Sequence, residues 1–256
     1  IALVPPYVVL VGLIGYPYFR RFCGFDPATS YYAAMPGGLQ DMLVFGEEAG
    51  GDPRILSLIH ATRILIIVAA LPVILSVGFS IDLHKPPGAP ASEIPIYELG
   101  AMALIGLVGW QVARAVGLFG ASILGPMILA TVASLTGVIE HRPPAEAIWA
   151  AQFFIGFGVG VKYVGVTLRE LRQVVLAGIG YTGILAVLSV IVSYGVITAG
   201  LAPPIEGILA FSPGGQAEMA VLAIVSGVDV AFVVTHHIVR IVTVIVGAPL
   251  MYRLMG

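Results

Sequence analysis

Pro-Gly-Gly occurs twice in this chain, at Pro36-Gly37-Gly38 and Pro213-Gly214-Gly215, and the two copies stand 177 residues apart. That single offset, with no gap, carries a likeness onward to Pro72 and Pro249. It pairs Met42 with Met219, Val44 with Val221, Gly50 with Gly227, Asp52 with Asp229, His60 with His237, Arg63 with Arg240 and Ile64 with Ile241. Asp41 falls opposite Glu218, which keeps a carboxylate in place. Apolar coincidences are cheap in a chain that is 59% apolar, but a shared His, Arg, Asp and Pro-Gly-Gly are not. A repeat of this kind predicts that similar local structure is built twice.

The solvent of those structures follows from the charge. Asp, Glu, Lys and Arg make up 10% of the residues, against roughly 25% in soluble domains. Apolar runs recur at about 4–19, 55–80, 95–115, 117–137, 145–166, 174–198, 204–226 and 230–252, with an interrupted one at 28–50. The expected fold class is therefore all-α: a polytopic transmembrane helical bundle of two repeat-related units, each holding a helix broken at Pro-Gly-Gly. The C-terminal part of the first membrane repeat covers 1–80, and the second repeat covers 95–256. A counterpart of Pro95 would lie roughly eighty residues before Ile1, so a protein with two full copies carries that much more chain in front.

Basic residues in short loops mark the cytoplasmic side. Arg20 and Arg21 precede the first Pro-Gly-Gly, whereas Arg169 and Arg172 sit one helix earlier relative to the second. That displacement predicts inverted copies. It requires an odd number of crossings per copy, met if the segment around Gly125-Pro126 is re-entrant or broken.

Several functions are disfavoured at once. A net charge of −2 gives no basic surface for nucleic acid. The single cysteine, Cys23, allows neither an internal disulfide framework nor a Cys-rich metal site. No two of the five histidines stand four apart, and His84 and His141 fall in expected loops, so neither a metal nor a cofactor is predicted. "GFGVG" at 156–160 suggests close helix packing.

The chemistry concentrates at the breaks. Proline removes a backbone donor, and glycine permits angles that other residues avoid. The segment after each break can begin as a half-helix, its free N–H groups exposed at membrane depth, an arrangement tolerated only against protein or a wet cavity. Repeated transporters build midplane sites in this way. Asp52 precedes Pro53 and Asp229 precedes an apolar run, so both read as helix N-caps. His60 and Arg63 share a helical face, as do His237 and Arg240. Each arginine falls about 15 Å into its helix, near the middle of a core about 30 Å thick. An arginine at that depth needs a partner or a cavity. Asp41 and Glu218 are the expected partners. They would act either as buried ion pairs joining the copies or as coupling groups beside an anionic solute held by the arginines and half-helix ends. The expected solute- or ion-binding residues are Pro36, Gly37, Gly38, Asp41, His60, Arg63, Pro213, Gly214, Gly215, Gln216, Glu218, His237 and Arg240.

The motifs "AAMPGGLQDM…GGD…HATR", "AFSPGGQAEM…SGVD…HHIVR" and "GLFGASILGPM" resemble the AbrB family of bacterial membrane proteins, which is defined by a duplicated membrane unit. The resemblance implies a multi-pass protein of the bacterial cytoplasmic (inner) membrane. Family labels of ammonia monooxygenase and of gene regulation do not follow from these residues. The leading expectation is a secondary transporter or exporter of a small solute, proton- or ion-coupled, non-enzymatic, with the lipid bilayer as its surroundings and with room for a homo-oligomer. A membrane sensor acting indirectly on gene expression is the alternative, and a membrane monooxygenase the third.

Overall fold

The computed structural model describes residues 1–83, 86–118 and 121–255. His84, and Phe119-Gly120 within the "GLFGASILGPM" motif, lie outside the described residues. Helices account for the regular structure, and no strand occurs among the described residues. In order they are α1 (Val4–Pro17), α2 (Pro27–Ala34), α3 (Leu39–Glu48), α4 (Pro53–Phe79), α5 (Ile96–Ala115), α6 (Ala121–Leu135), α7 (Ala145–Val161), α8 (Leu168–Glu170), α9 (Leu176–Thr198), α10 (Pro204–Phe211), α11 (Gln216–Ser226) and α12 (Val230–Met255). A π turn, Leu171–Val175, joins α8 to α9 in one rod from Leu168 to Thr198.

Among the described residues four helices are long and apolar enough to cross a membrane: Pro53–Phe79, Ile96–Ala115, Leu168–Thr198 and Val230–Leu254. Within a bilayer no water remains to satisfy backbone groups, which is why such runs become helices. Aspartates cap two of these helices, and α2 as well. Asp52 accepts from the N–H groups of Arg54 and Ile55, with Pro53 in the first helical position. Asp229 accepts from Phe232 N–H, and Asp26 from Thr29 N–H. Asp52→Ala is expected to cost about 1 kcal/mol, the usual value of a lost N-cap. Thermal unfolding of the detergent-solubilised variant measures it.

The chain forms two compact bodies, residues 1–84 with 155–256, and residues 85–154. In the larger body α4 packs along α9 and α1 along α12, while α2 leans on α1 and α10 on α9. Apolar burial does little to join helices inside lipid, so close packing and hydrogen bonds must do it. Tyr181, Phe19, Phe211, Met42, Leu56 and Met219 are fully buried at these contacts. The Tyr181 ring meets Phe19 edge-on at 4.7 Å, and Tyr7 meets Phe211 edge-on at 5.7 Å.

The smaller body is built on a hairpin of α5 and α6. Glycine at Gly109 and Gly125 lets the two backbones touch: a Cβ on Gly109 would stand 2.7 Å from Gly125 O. The buried Glu98 closes the far end, accepting from the N–H groups of Glu140 and His141 (both 3.1 Å) and pairing with His141 Nδ1 at 3.0 Å. His141, expected to be a solvated loop residue, is therefore a latch. The segment at Gly125-Pro126 is not broken; α6 continues through it. At 15 residues α6 rises about 22 Å, short of a core about 30 Å thick. Close packing was expected at 156–160, but among the described residues a Cβ on Gly156, Gly158 or Gly160 would meet nothing within 4 Å.

Candidate functional site: two broken helices braced by buried arginines

Proline disfavours helical angles in the residue before it. Met35 and Ser212 accordingly leave the helix, with φ/ψ of −71/133 and −63/136. The chain runs extended to Gly38 (−65/146) and Gly215 (−74/152), where α3 and α11 begin. None of these four glycines adopts a positive φ. The conformational freedom suggested by the sequence is thus not what they supply; they supply room. A Cβ on Gly37 would lie 2.9 Å from Val244 Cγ1, and one on Gly214 would lie 3.0 Å from Ile67 Cγ2. Ile67 and Val244 are themselves 177 apart, so each break rests on the long helix of the other copy at the same position.

A helix end leaves carbonyls without intrahelical donors, and at both breaks side chains take them up. His60 Nε2 bonds Tyr32 O at 3.1 Å, and His237 Nε2 bonds Leu209 O at 2.9 Å. Arg63 donates from Nη1 to Met35 O (3.3 Å) and from Nη2 to Gly37 O (2.8 Å). Arg240 donates from Nη1 to Ser212 O and from Nη2 to Gly214 O, both at 2.7 Å. In an extended chain alternate carbonyls point the same way, which suits the two prongs of a guanidinium. The remaining carbonyl is reached from across the body. Tyr181 donates to Ala34 O at 2.7 Å, and Tyr7 donates to Phe211 O at 3.2 Å with Ser189 at 2.5 Å.

The arginines' partners are therefore not the ones the sequence suggested. Among the described residues the ion pairs are Arg54–Glu170 (2.6 Å) and Glu98–His141. Asp41 and Glu218 instead fold back over their own break. A Cβ on Gly38 would fall 2.5 Å from Asp41 Oδ2, and one on Gly215 would collide with Glu218 Oε2. Each carboxylate thus sits against the N-terminus of its half-helix, where negative charge is favoured. Pro36, Gly37, Pro213 and Gly214 are buried, whereas Gln216 is half-buried in the first turn of α11. Glu218 lies within electrostatic reach of Arg63, and Arg63 of Arg240. The structure therefore brings His60 and Arg63 to the first break and His237 and Arg240 to the second, lays Asp41 and Glu218 over their own half-helix ends, and leaves Asp52 and Asp229 outside as helix caps.

Some hydrogen-bonding capacity remains unspent. A carbonyl only accepts, so Nε2 carries the proton in His60 and His237, leaving Nδ1 as an acceptor. Those two Nδ1 atoms, with Arg63 Nε and Arg240 Nε, are buried and unpartnered. Among the described residues no three His, Cys, Asp or Glu side chains converge as a metal site, and the donor set that copper or iron oxygenation needs is not gathered there. Tyr7, Tyr181 and Ser189 were not singled out from the sequence. Their signal was present, because a hydroxyl inside an apolar span must find a partner.

The chain is 27% identical over 270 residues to the uncharacterized protein YhjN of Bacillus subtilis (strain 168), covering 97% of this chain and 68% of that protein. It is 22% identical over 239 residues to the "Putative regulator AbrB" of Escherichia coli (strain K12), covering 91% and 67% respectively. No solved structure matches it. The family model described as transition state regulatory protein AbrB matches residues 1–256, and the chain belongs to the AbrB family.

Proposed function

We propose that this protein is a secondary transporter or exporter of a small solute in the bacterial inner membrane, with its site at the two Pro-Gly-Gly breaks. The observation that carries the reading is the reciprocal placement of the breaks, Gly37 against Val244 and Gly214 against Ile67. Such a relation fits two inverted copies meeting near the bilayer midplane, the arrangement on which alternating access is built. Arg63 lies ten residues past Pro53 in a 27-residue helix, about 15 Å along, which suits that depth. Buried charge in a membrane domain is costly and marks pathways and coupling groups. Asp41 and Glu218, each covering a half-helix end beside its break, are the proposed coupling carboxylates.

A transport assay can be run without first identifying the solute. Proteoliposomes are loaded with a soluble bacterial metabolite extract, and loss of each component is followed by mass spectrometry. At least one component should leave faster than from protein-free vesicles. Glu218→Gln and Arg240→Lys should slow it about tenfold or more, the effect of losing at least 1.4 kcal/mol at a rate-determining step. Unchanged flux in both variants, with folding intact, removes the breaks from the mechanism.

The descriptions of the family and of the Escherichia coli relative as regulators favour a second reading, a membrane sensor acting indirectly on gene expression. The same pocket would then bind a ligand without moving it. Stable capture of a cytoplasmic partner together with absence of flux reverses the order of the two readings.

A further inference from the structure

A cavity of about 510 Å³ lies beside the second break, between α4 and α9, and ends at Ser212 and Pro213. Its walls are largely aliphatic, with Ile67 and Leu71 on one side. Four hydroxyls interrupt them: Thr182, Ser189, Ser193 and Ser212. Each of these hydroxyls already donates its hydrogen to a backbone carbonyl. Thr182 donates to Gly178 O (2.7 Å), Ser189 to Phe211 O (2.5 Å), Ser193 to Gly207 O (3.1 Å) and Ser212 to Ile208 O (2.7 Å). A hydroxyl so committed keeps only its lone pairs. Pro213 adds no N–H. The inner wall therefore offers acceptors and no donors, while Tyr194, 69% exposed, belongs to the mouth.

The Nη groups and half-helix ends that ordinarily recognise anions are occupied nearby, and the unpartnered Nε groups of Arg63 and Arg240 are buried on side chains that do not line the cavity. All four Nη contacts of Arg63 and Arg240 go to carbonyls, and the two half-helix ends are covered by Asp41 and Glu218. Met35 stands where the second copy has Ser212, and its Cε reaches the surface of Gly12.

We infer that this cavity is the solute chamber, and that its ligand is a small amphiphile with an aliphatic body and a hydrogen-bond-donating head, an alcohol or an alkylammonium. The inference rests on the transporter reading and names its substrate class. A bilayer lipid entering tail-first would place its headgroup outside, leaving the acceptors at the inner end unmet. A short donor-headed amphiphile sets its head against Ser189 and Ser212 beside the break and lays its chain along the aliphatic walls.

The experiment uses Cys23→Ser with Ala186→Cys, which lines the cavity without touching the hydroxyl contacts. The rate of modification by a water-soluble cationic methanethiosulfonate is measured in proteoliposomes with hexylamine, hexanol or hexanoate present. The native thiol Cys23, in an otherwise unaltered chain, controls for general effects on the bilayer. Hexylamine and hexanol should slow labelling of Ala186→Cys about tenfold at saturation, and hexanoate should not. Adding Ser212→Met, borrowed from Met35, should abolish that protection while leaving its carbonyl bonded to Arg240.

Three results overturn the inference: protection by hexanoate equal to that by hexylamine, protection surviving Ser212→Met, and no labelling at all because lipid fills the space. Solute flux is measured in the same vesicles, loaded as above. Flux without protection sinks the ligand class alone, and protection without flux sinks the transporter reading while the binding site stands.

Discussion

Arg240→Ala should be the most damaging single substitution in the larger body, lowering stability by about 3–6 kcal/mol before discounting for the membrane. The figure follows from two charge-assisted hydrogen bonds, each contributing about 1.5–3 kcal/mol when both ends are buried. Polar contacts inside bilayers often measure smaller, because the unfolded helices find other partners, so a value of about 3 kcal/mol is expected. Ser212 O and Gly214 O lose their donors together, at a place where water cannot replace them. Arg63→Ala should cost less, since one of its two bonds is longer, 3.3 Å to Met35 O. Arg240→Lys keeps the charge but cannot fork, and should recover about half of the loss. Thermal unfolding in detergent decides it: a midpoint within about 2 °C of wild type for Arg240→Ala would show that the carbonyls are satisfied otherwise.

Gly125→Ala should disrupt the smaller body to a similar degree. The added Cβ collides with Gly109 O and stands 2.8 Å from the Gly109 carbonyl carbon and 2.6 Å from Ala113 Cβ. None of these is the end of a flexible side chain. The α5–α6 hairpin must separate, and overpacking of this kind costs about 1–3 kcal/mol. Gly156→Ala and Gly160→Ala provide the contrast. Open space surrounds both, and alanine is the better helix former, so they should be neutral or stabilising by up to about 1 kcal/mol. These variants, melted side by side with the wild type, separate a backbone contact from a mere preference for small residues. Equal midpoints for Gly125→Ala and Gly156→Ala would remove the close contact from the account.

The positions of the helices were largely legible in the sequence, because apolar run length, Pro-Gly-Gly and Asp-Pro act locally. The break expected at Gly125-Pro126 did not appear, since one proline in an apolar run can be absorbed by a continuous helix packed against a neighbour. The repeated placement of a histidine and an arginine at each break was also legible, through the offset that pairs His60 with His237 and Arg63 with Arg240. Their bonding was not. Carboxylates looked like the natural partners for buried guanidinium groups, yet the unpaired carbonyls at a broken helix end are nearer and arrive in pairs at the spacing of the fork.

The sequence by itself determined that this chain needs a bilayer, where its helices begin, and that two breaks recur with one acid, one histidine and one arginine each. Those properties depend on residues close together in the chain, or on identity at a fixed interval. Only the tertiary structure decided that Tyr7 and Tyr181 brace the opposite copy, that Asp41 and Glu218 cover their own half-helices, and that a cavity opens beside Ser212. Each of these depends on which helix lies against which. A hydrogen bond or a void between helices is set by packing at ångström scale, and a linear pattern of polar and apolar residues does not encode that distance.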